Sequence, residues 1–472
     1  MDATFDELYV LSDLHIGGLK PRHAADPDLR IFDQHELLRD TLKALAKRAR
    51  PNRRVGVVLN GDVFDFLAQA GVQPKEAPRY FYPDEAAAWI DVVAADFAEV
   101  FEGLAAVVKA PHAALVIVVG NHDLELALPA VQARLRQVLG DAGGLRFYTD
   151  GAGFRATVGG ASVLCTHGER SDTFNAVDHD LLRKVARAQR DGQAVAPWLP
   201  TPGHGMVIDV LNPVKVRYPF VDLFQPQDDR VILLYRWVDP ELDSYRPAIS
   251  GHARAASGRD LKLLSVAVTD GEAALPSAPA VEVLAAFDQG LADEVEPDGV
   301  DDLVELVDGD GLLSWRETMR KVAYLYTPSS WSNRLYEWLL EWATDQSAFS
   351  ETSEDDCSKW ARTAVGAGVT YVVCGHTHTR KHIRWPGGRA YFNSGTWIPL
   401  LKVTRQRLED PEPLRALLRS RSRAALEQLI ERVPTVVRFL ADGTAELTTA
   451  TRDAAGAVQL QPVVVNHAEV TP

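Results

Sequence analysis

The stretch Val55-Gly-Val-Val-Leu-Asn-Gly-Asp62 limits what this chain can fold into. An uncharged run rich in β-branched residues reads as a strand buried on both faces, which needs cover above and below. Gly61 then allows a sharp turn, and Asp62 emerges at the carboxyl edge of the strand. A carboxylate left there is costly unless a cation or a donor meets it. The stretch therefore implies a layered α/β protein with its chemistry at one sheet edge; we read Asp62 as bridging two metal ions to which the other motifs supply ligands.

The same design recurs. Leu8-Tyr-Val-Leu-Ser-Asp-Leu-His reads as a strand ending in Asp13 and His15, two residues apart and so facing one way. Leu37, Leu38, Leu42, Leu45 and Ala49 predict a helix over 33–50, giving a strand-helix-strand opening. Trp89, Val92, Val93, Phe97, Val100, Phe101 and Leu104 predict one more helix over 84–110. Leu115-Val-Ile-Val-Val-Gly-Asn-His-Asp repeats the strand, the glycine and the polar exit. Asn121 offers a neutral amide oxygen, His122 is a candidate proton donor, and Asp123 is placed to orient the His122 ring. The same letters also describe a turn in which Asn or Asp caps a helix starting at Leu124. Ser162-Val-Leu-Cys-Thr-His ends in His167, and Val369-Thr-Tyr-Val-Val-Cys-Gly-His-Thr-His ends in His376 and His378. Beyond them lie a strand and turn over 389–397, an amphipathic helix within 411–433, a hairpin of 436–440 with 445–449, and a closing strand over 458–465.

The middle of the chain is looser. Arg183, Arg187 and Arg190 lie on one face of a helix over 180–191, either a solvated basic face or a phosphate or headgroup clamp. Residues 271–280 read as a linker. Asp308, Asp310, Gly311, Ser314 and Glu317 match the latter part of an EF-hand loop, although Leu306 stands at its first ligand position. An Asp-Gly turn followed by a Ser314-x-x-Glu317 capping box is the plainer account. Aromatic-rich helices over 315–326 and 332–344 suit the core of an inserted cap, with a wall for an apolar substrate or a membrane contact as the alternative.

The net charge of −15 argues against a surface that grips duplex nucleic acid. It leaves open a small anionic substrate held by metals. Cys165, Cys357 and Cys374 have no CxxC spacing, which fits a reducing, cytoplasmic setting. The first residues lack the basic and apolar regions of a signal peptide, and no apolar run is long enough to cross a bilayer; a peripheral membrane contact stays open.

Taken in order, the strand ends carry D-x-H, G-D-x-x-D, G-N-H-D, T-H-G and G-H-T-H. Over residues 5–175 and 365–400 this series resembles the calcineurin-like metallophosphoesterase superfamily. The resemblance implies a four-layer α/β/β/α sandwich of two mixed sheets with a large, mostly helical insertion. Its parts would be residues 1–175 and 363–472 for the core and 176–362 for the inserted cap. It implies Asp13, His15, Asp62 and His378 on one ion, and Asp62, Asn121, His167 and His376 on the other. His122 would be the acid that protonates the leaving oxygen, and Asp65 would support the site without being a ligand.

The implied cofactor is a pair of divalent ions, Mn first with Fe or Zn as alternatives, because the ligands mix His, Asp and Asn. The implied reaction is hydrolysis of a phosphate ester or pyrophosphate bond by metal-activated hydroxide. Asp-Leu-His and Asn-Gly-Asp-Val-Phe-Asp-Phe are most similar in wording to UDP-2,3-diacylglucosamine hydrolase relatives, which cleave a pyrophosphate bond in lipid A synthesis and hold acyl chains under an inserted cap. That implies a small phosphorylated or nucleotide-linked substrate, lipid-bearing in those relatives. Two features depart from them: His122 stands where those hydrolases carry Arg, and more than two hundred residues separate His167 from His376. A nuclease branch with the same motifs and a non-catalytic metal-binding scaffold are the alternatives.

Overall fold

A computed structural model of the chain describes residues 3–18, 28–68, 83–141, 143–193, 201–225, 239–245, 350–366, 368–402 and 411–465, with a few isolated positions besides. The linker-like stretch, the EF-hand-like stretch and the two aromatic-rich helices predicted in the middle region lie outside the described residues.

Side-chain alternation along the strands builds the layers. Leu8, Val10, Val58, Val116 and Val437 face a core shared between two sheets, where they meet Phe154, Val163, Val373 and Phe392. Their neighbours Tyr9, Leu11, Val57, Leu59, Leu115 and Ile117 point the other way, into a core under helices. That is the period of two expected of strands buried on both faces. One sheet runs Val458–Pro462, Ala445–Arg452, Thr435–Leu440, Glu7–Leu11, Val55–Asn60, Ala113–Val118, Leu145–Tyr148 from edge to edge. The other runs Ala3–Phe5, Phe154–Val158, Ala161–Cys165, Tyr371–Cys374, Arg389–Asn393, Lys381–Trp385. Both mix parallel and antiparallel pairs.

Helices His35–Ala46 and Ala98–Lys109 cover the outer face of the first sheet. Helix Asp356–Ala364 covers the second through Cys357 and Ala361, packed with Val372, Cys374 and Tyr391. The architecture is the expected four-layer α/β/β/α sandwich.

Register decides where the chemistry lies. Leu11 pairs with Leu59, and Asn60 with Val118, so three parallel strands of the first sheet end level. Cys165 pairs with Val373, and Cys374 with Asn393, so three of the second do the same. Every strand that leads into a candidate ligand is among these six.

Local differences from expectation have plain causes. The helix predicted over 84–110 is two helices, Pro83–Asp96 and Ala98–Lys109. Phe97 breaks it at φ −122°, where its fully buried ring meets that of His35 at 5.0 Å. The apolar stripe continues across the break, so periodicity alone does not reveal it. Ala3–Phe5 and Glu7–Leu11 go to different sheets, and Phe5 enters the core between them. Thr435–Leu440 and Ala445–Arg452 form the predicted hairpin.

Candidate metal centre

The loops after the six strands converge into a buried group of carboxylates and imidazoles. Asp13, His15 and His378 make one cluster, and Asp62, His167 and His376 a second. In the first, His378 Nε2 lies 3.3 Å from Asp13 Oδ1 and 3.2 Å from His15 Nε2. In the second, His167 Nε2 lies 3.3 Å from Asp62 Oδ2 and 3.1 Å from Asn121 Oδ1. Asp62 Oδ2 also faces the first cluster, 3.7 Å from His15 Nε2, while Oδ1 accepts the His122 backbone N–H at 2.9 Å. A single carboxylate oxygen is thus turned toward both clusters. The seven side chains expected as ligands are all drawn into this one place.

The backbone is strained there. Asp13, His15, Asp62, His376 and His378 have φ of 53°, 46°, 51°, 68° and 56°; among the described non-glycine residues only His112 and Arg421 share that region. Such a conformation costs a side-chain-bearing residue of order 1–3 kcal/mol and persists only where surroundings enforce it. The enforcement is visible. Asp13 N–H donates to Gly61 O, Leu14 and His15 N–H both donate to Asp62 O, and His376 N–H donates to the Asp13 carboxylate at 3.1 Å. Thr396 Oγ1 donates to Asp13 O, and Asn393 Nδ2 to Gly375 O, both at 2.7 Å.

Three glycines permit the convergence. A Cβ on Gly61 would stand 2.3 Å from His167 Nδ1, one on Gly120 2.1 Å from Asp62 Oδ1, and one on Gly375 2.4 Å from Asp13 Oδ2. Only Gly61, at φ 86°, also needs the left-handed conformation; the other two are required for closeness. Gly120→Ala is expected to destabilise the fold by ~1–3 kcal/mol through overpacking against a neighbour that cannot retreat. Chemical denaturation measures that loss, and a fall in bound metal should accompany it.

Charge is arranged for cation binding. Burial opposes the Asp62 charge, but His167, His122 and His15 outweigh it and hold the carboxyl well below its usual range. Burial opposes the His167 charge too, and Asp62 overcomes it, raising His167 well above an ordinary histidine. Burial lowers His378 despite Asp13, which favours the neutral imidazole that ligates. His15 Nδ1 and His378 Nδ1 are buried without hydrogen-bond partners while their Nε2 atoms face each other. Facing nitrogens backed by carboxylates, at the distances above, are the donor set a divalent ion takes. The residues fit a metal pair.

His122 lies at the rim, its side chain 21% exposed and so open to a substrate. Its expected partner Asp123 does not touch the ring. Asp123 turns back to accept the N–H groups of Gly120 at 2.6 Å and Val63 at 2.7 Å, with no helix-capping bond. Asp65 takes the ring instead, its Oδ1 3.3 Å from His122 Nδ1 and its Oδ2 3.9 Å from His15 Nδ1. Burial resists the charge on His122, but Asp62 and Asp65 prevail and raise its pKa to about 9. Burial and the nearby Asp62 charge push Asp123 up to about 7.

Residues 7–229 match the family model described as calcineurin-like phosphoesterase. The match supports the calcineurin-like phosphoesterase superfamily. It covers Asp13, His15, Asp62, Asn121, His122 and His167 but stops short of His376 and His378, which the fold brings to the same centre. No curated protein and no solved structure was found to match the chain. Together, this match and the His/Asp groups support a metal-dependent phosphoesterase. Among the described residues no helix is long and apolar enough to cross a membrane.

Several supporting residues are not evident from motifs. Asn60 Nδ2 donates to Thr166 O at 3.0 Å and Val373 O at 3.2 Å, tying strand ends of both sheets together; a lone Asn closing an apolar run is the available signal. Asp172 and Asn175 lie against His376 and Asn121. Arg183, Arg187 and Arg190 pair with Asp180 or Asp191 on an exposed helix face, as in the solvated reading.

Proposed function

We propose that the protein is a dinuclear metal-dependent phosphoesterase that hydrolyses a phosphate ester or pyrophosphate bond in a small phosphorylated or nucleotide-linked substrate. The observation that carries this reading is Asp62 Oδ2, turned toward two His/Asp clusters with His122 at their rim. Asp13, His15, Asp62 and His378 would hold one divalent ion, and Asp62, Asn121, His167 and His376 the other. Manganese is our first assignment, with iron or zinc compatible with the same donors. Such ions supply Lewis acidity toward a phosphoryl oxygen and toward water.

The chain's own residues do the rest. Asp65 accepts from His122 Nδ1 and so leaves Nε2 to face a substrate. The Asp65 carboxylate, 3.3 Å from the ring and outside the proposed ligand set, favours the protonated imidazole that a departing oxygen needs. His122 also fixes Asp62 through its backbone N–H, which couples the acid to the shared ligand. The lipid-bearing substrate of the hydrolase relatives belongs to this proposal as one arm of its test. The three free, buried cysteines fit a reducing compartment such as the cytoplasm.

The test is a panel of a monoester, a diester, a nucleotide pyrophosphate, a nucleotide pyrophosphate bearing a lipid, and single-stranded DNA. It is run after chelation and again after Mn²⁺ is restored. Hydrolysis should vanish on chelation and return with metal. Because His167 holds a proton to unusually high pH, Mn²⁺ should reactivate less well at pH 6 than at pH 8. Full activity after complete metal removal, or turnover of DNA alone, would reject the reading.

A further inference from the structure

Two side chains assigned to the second ion are linked behind the site by one short turn. Asn121 Nδ2 donates to Asn175 Oδ1 at 3.3 Å, and Asn175 Nδ2 donates to Asp172 Oδ2 at 2.7 Å. The same Asp172 oxygen lies 3.3 Å from His376 Nε2. The other, Oδ1, accepts the Phe174 N–H at 2.9 Å, and Asp172 O accepts the N–H groups of Asn175 and Ala176 at 3.1 and 2.7 Å. Asp172 therefore stiffens the turn with one oxygen and reaches His376 with the other.

Each contact selects a ligand atom. An amide has an oxygen that binds cations and an NH₂ group that repels them. With Nδ2 committed to Asn175, the Asn121 oxygen is turned inward, 3.1 Å from His167 Nε2. With Nε2 committed to Asp172, His376 has Nδ1 left to offer. Contacts of this kind, made to the far side of a ligand, commonly govern metal affinity.

The turn is also gripped from outside. Gly203 N–H donates to Phe174 O at 2.8 Å, and a Cβ on Gly203 would stand 2.0 Å from Asn175 Oδ1. Gly203 is the second residue of the helical run Pro202–Met206, capped by Thr201, which follows the candidate ligand His167 in the chain and precedes His376. Only a glycine lets that run sit against the turn.

We propose that the Asp172–Asn175 turn is a positioning bridge that presents the Asn121 amide oxygen and one His376 nitrogen to the second ion, and that Gly203 holds it in place. The inference rests on the phosphoesterase reading, because the ion concerned is the one given there to Asp62, Asn121, His167 and His376.

Calorimetric titration of the metal-free full chain with Mn²⁺ tests it, with Asn175→Ala and Asp172→Ala beside the wild type and Tm recorded for each. The wild type should take up two ions. In each variant one binding step should weaken by ~10–100-fold while the other keeps its wild-type affinity. Tm should hardly move for Asn175→Ala and fall modestly for Asp172→Ala, which also loses the Phe174 N–H bond, and kcat should recover in both as Mn²⁺ is raised. Two ions bound by the variants as tightly as by the wild type would overturn the bridge and leave the phosphoesterase reading standing. Equal weakening of both steps with a fall in Tm would also overturn it, since the turn would then merely support the fold. A wild type that binds no Mn²⁺ would overturn both.

Discussion

Asp62→Asn is expected to bind one divalent ion at most and to lose hydrolysis by ~10³-fold or more, the scale reached when charge stabilisation at a reacting centre is removed. The reason is geometric. Asp62 Oδ1 accepts the His122 N–H at 2.9 Å, and Oδ2 alone faces both clusters. An amide in its place keeps one acceptor, which the His122 N–H would claim. The NH₂ group would then point at the ions, so the substitution replaces a shared anion with a repelling donor. Elemental analysis of the purified variant, scored with turnover, measures both effects. A variant with two bound ions and near-normal turnover would end the shared-carboxylate account.

His122→Ala should leave metal content intact and lower kcat by ~10²–10⁴-fold, the usual contribution of a positioned proton donor. The loss should depend on the leaving group. An alkoxide departs poorly without a proton and should show the full deficit, whereas a nitrophenolate departs unaided and should be largely spared. Asp65→Asn should repeat the pattern more weakly, because that carboxylate lies 3.3 Å from the ring and helps keep it charged. Equal deficits for both leaving groups would remove His122 from the proton-transfer step while sparing the metal assignment.

Much of this centre is legible in the chain because its parts are local. A β-branched run, a glycine and then a polar residue marks a buried strand ending in a functional loop, and it does so wherever it occurs. Asp62, Asn121 and His376 follow that pattern, whereas Asp13 and His167 end apolar runs without a glycine and are legible only as members of the ordered series. The exchange of Asp123 for Asp65 shows where such reading stops. Asp123 is next to His122 in the chain but folds back onto Gly120 and Val63, whereas Asp65 reaches the ring from a different loop. Asp172 and Asn175 are not legible for the same reason: neither type nor spacing announces a side chain that touches another from a distant turn.

The sequence by itself determined which residues have the chemistry to bind cations and that they stand at strand ends, since alternation and turn glycines are short-range properties. Only the tertiary structure decided which of them come together in one cluster. His378 meets Asp13 and His15 because two sheets pack face to face with their parallel strands ending level. That register is set by the packing of Leu8, Val10, Val373 and Phe392 between the sheets, and no stretch of chain contains it.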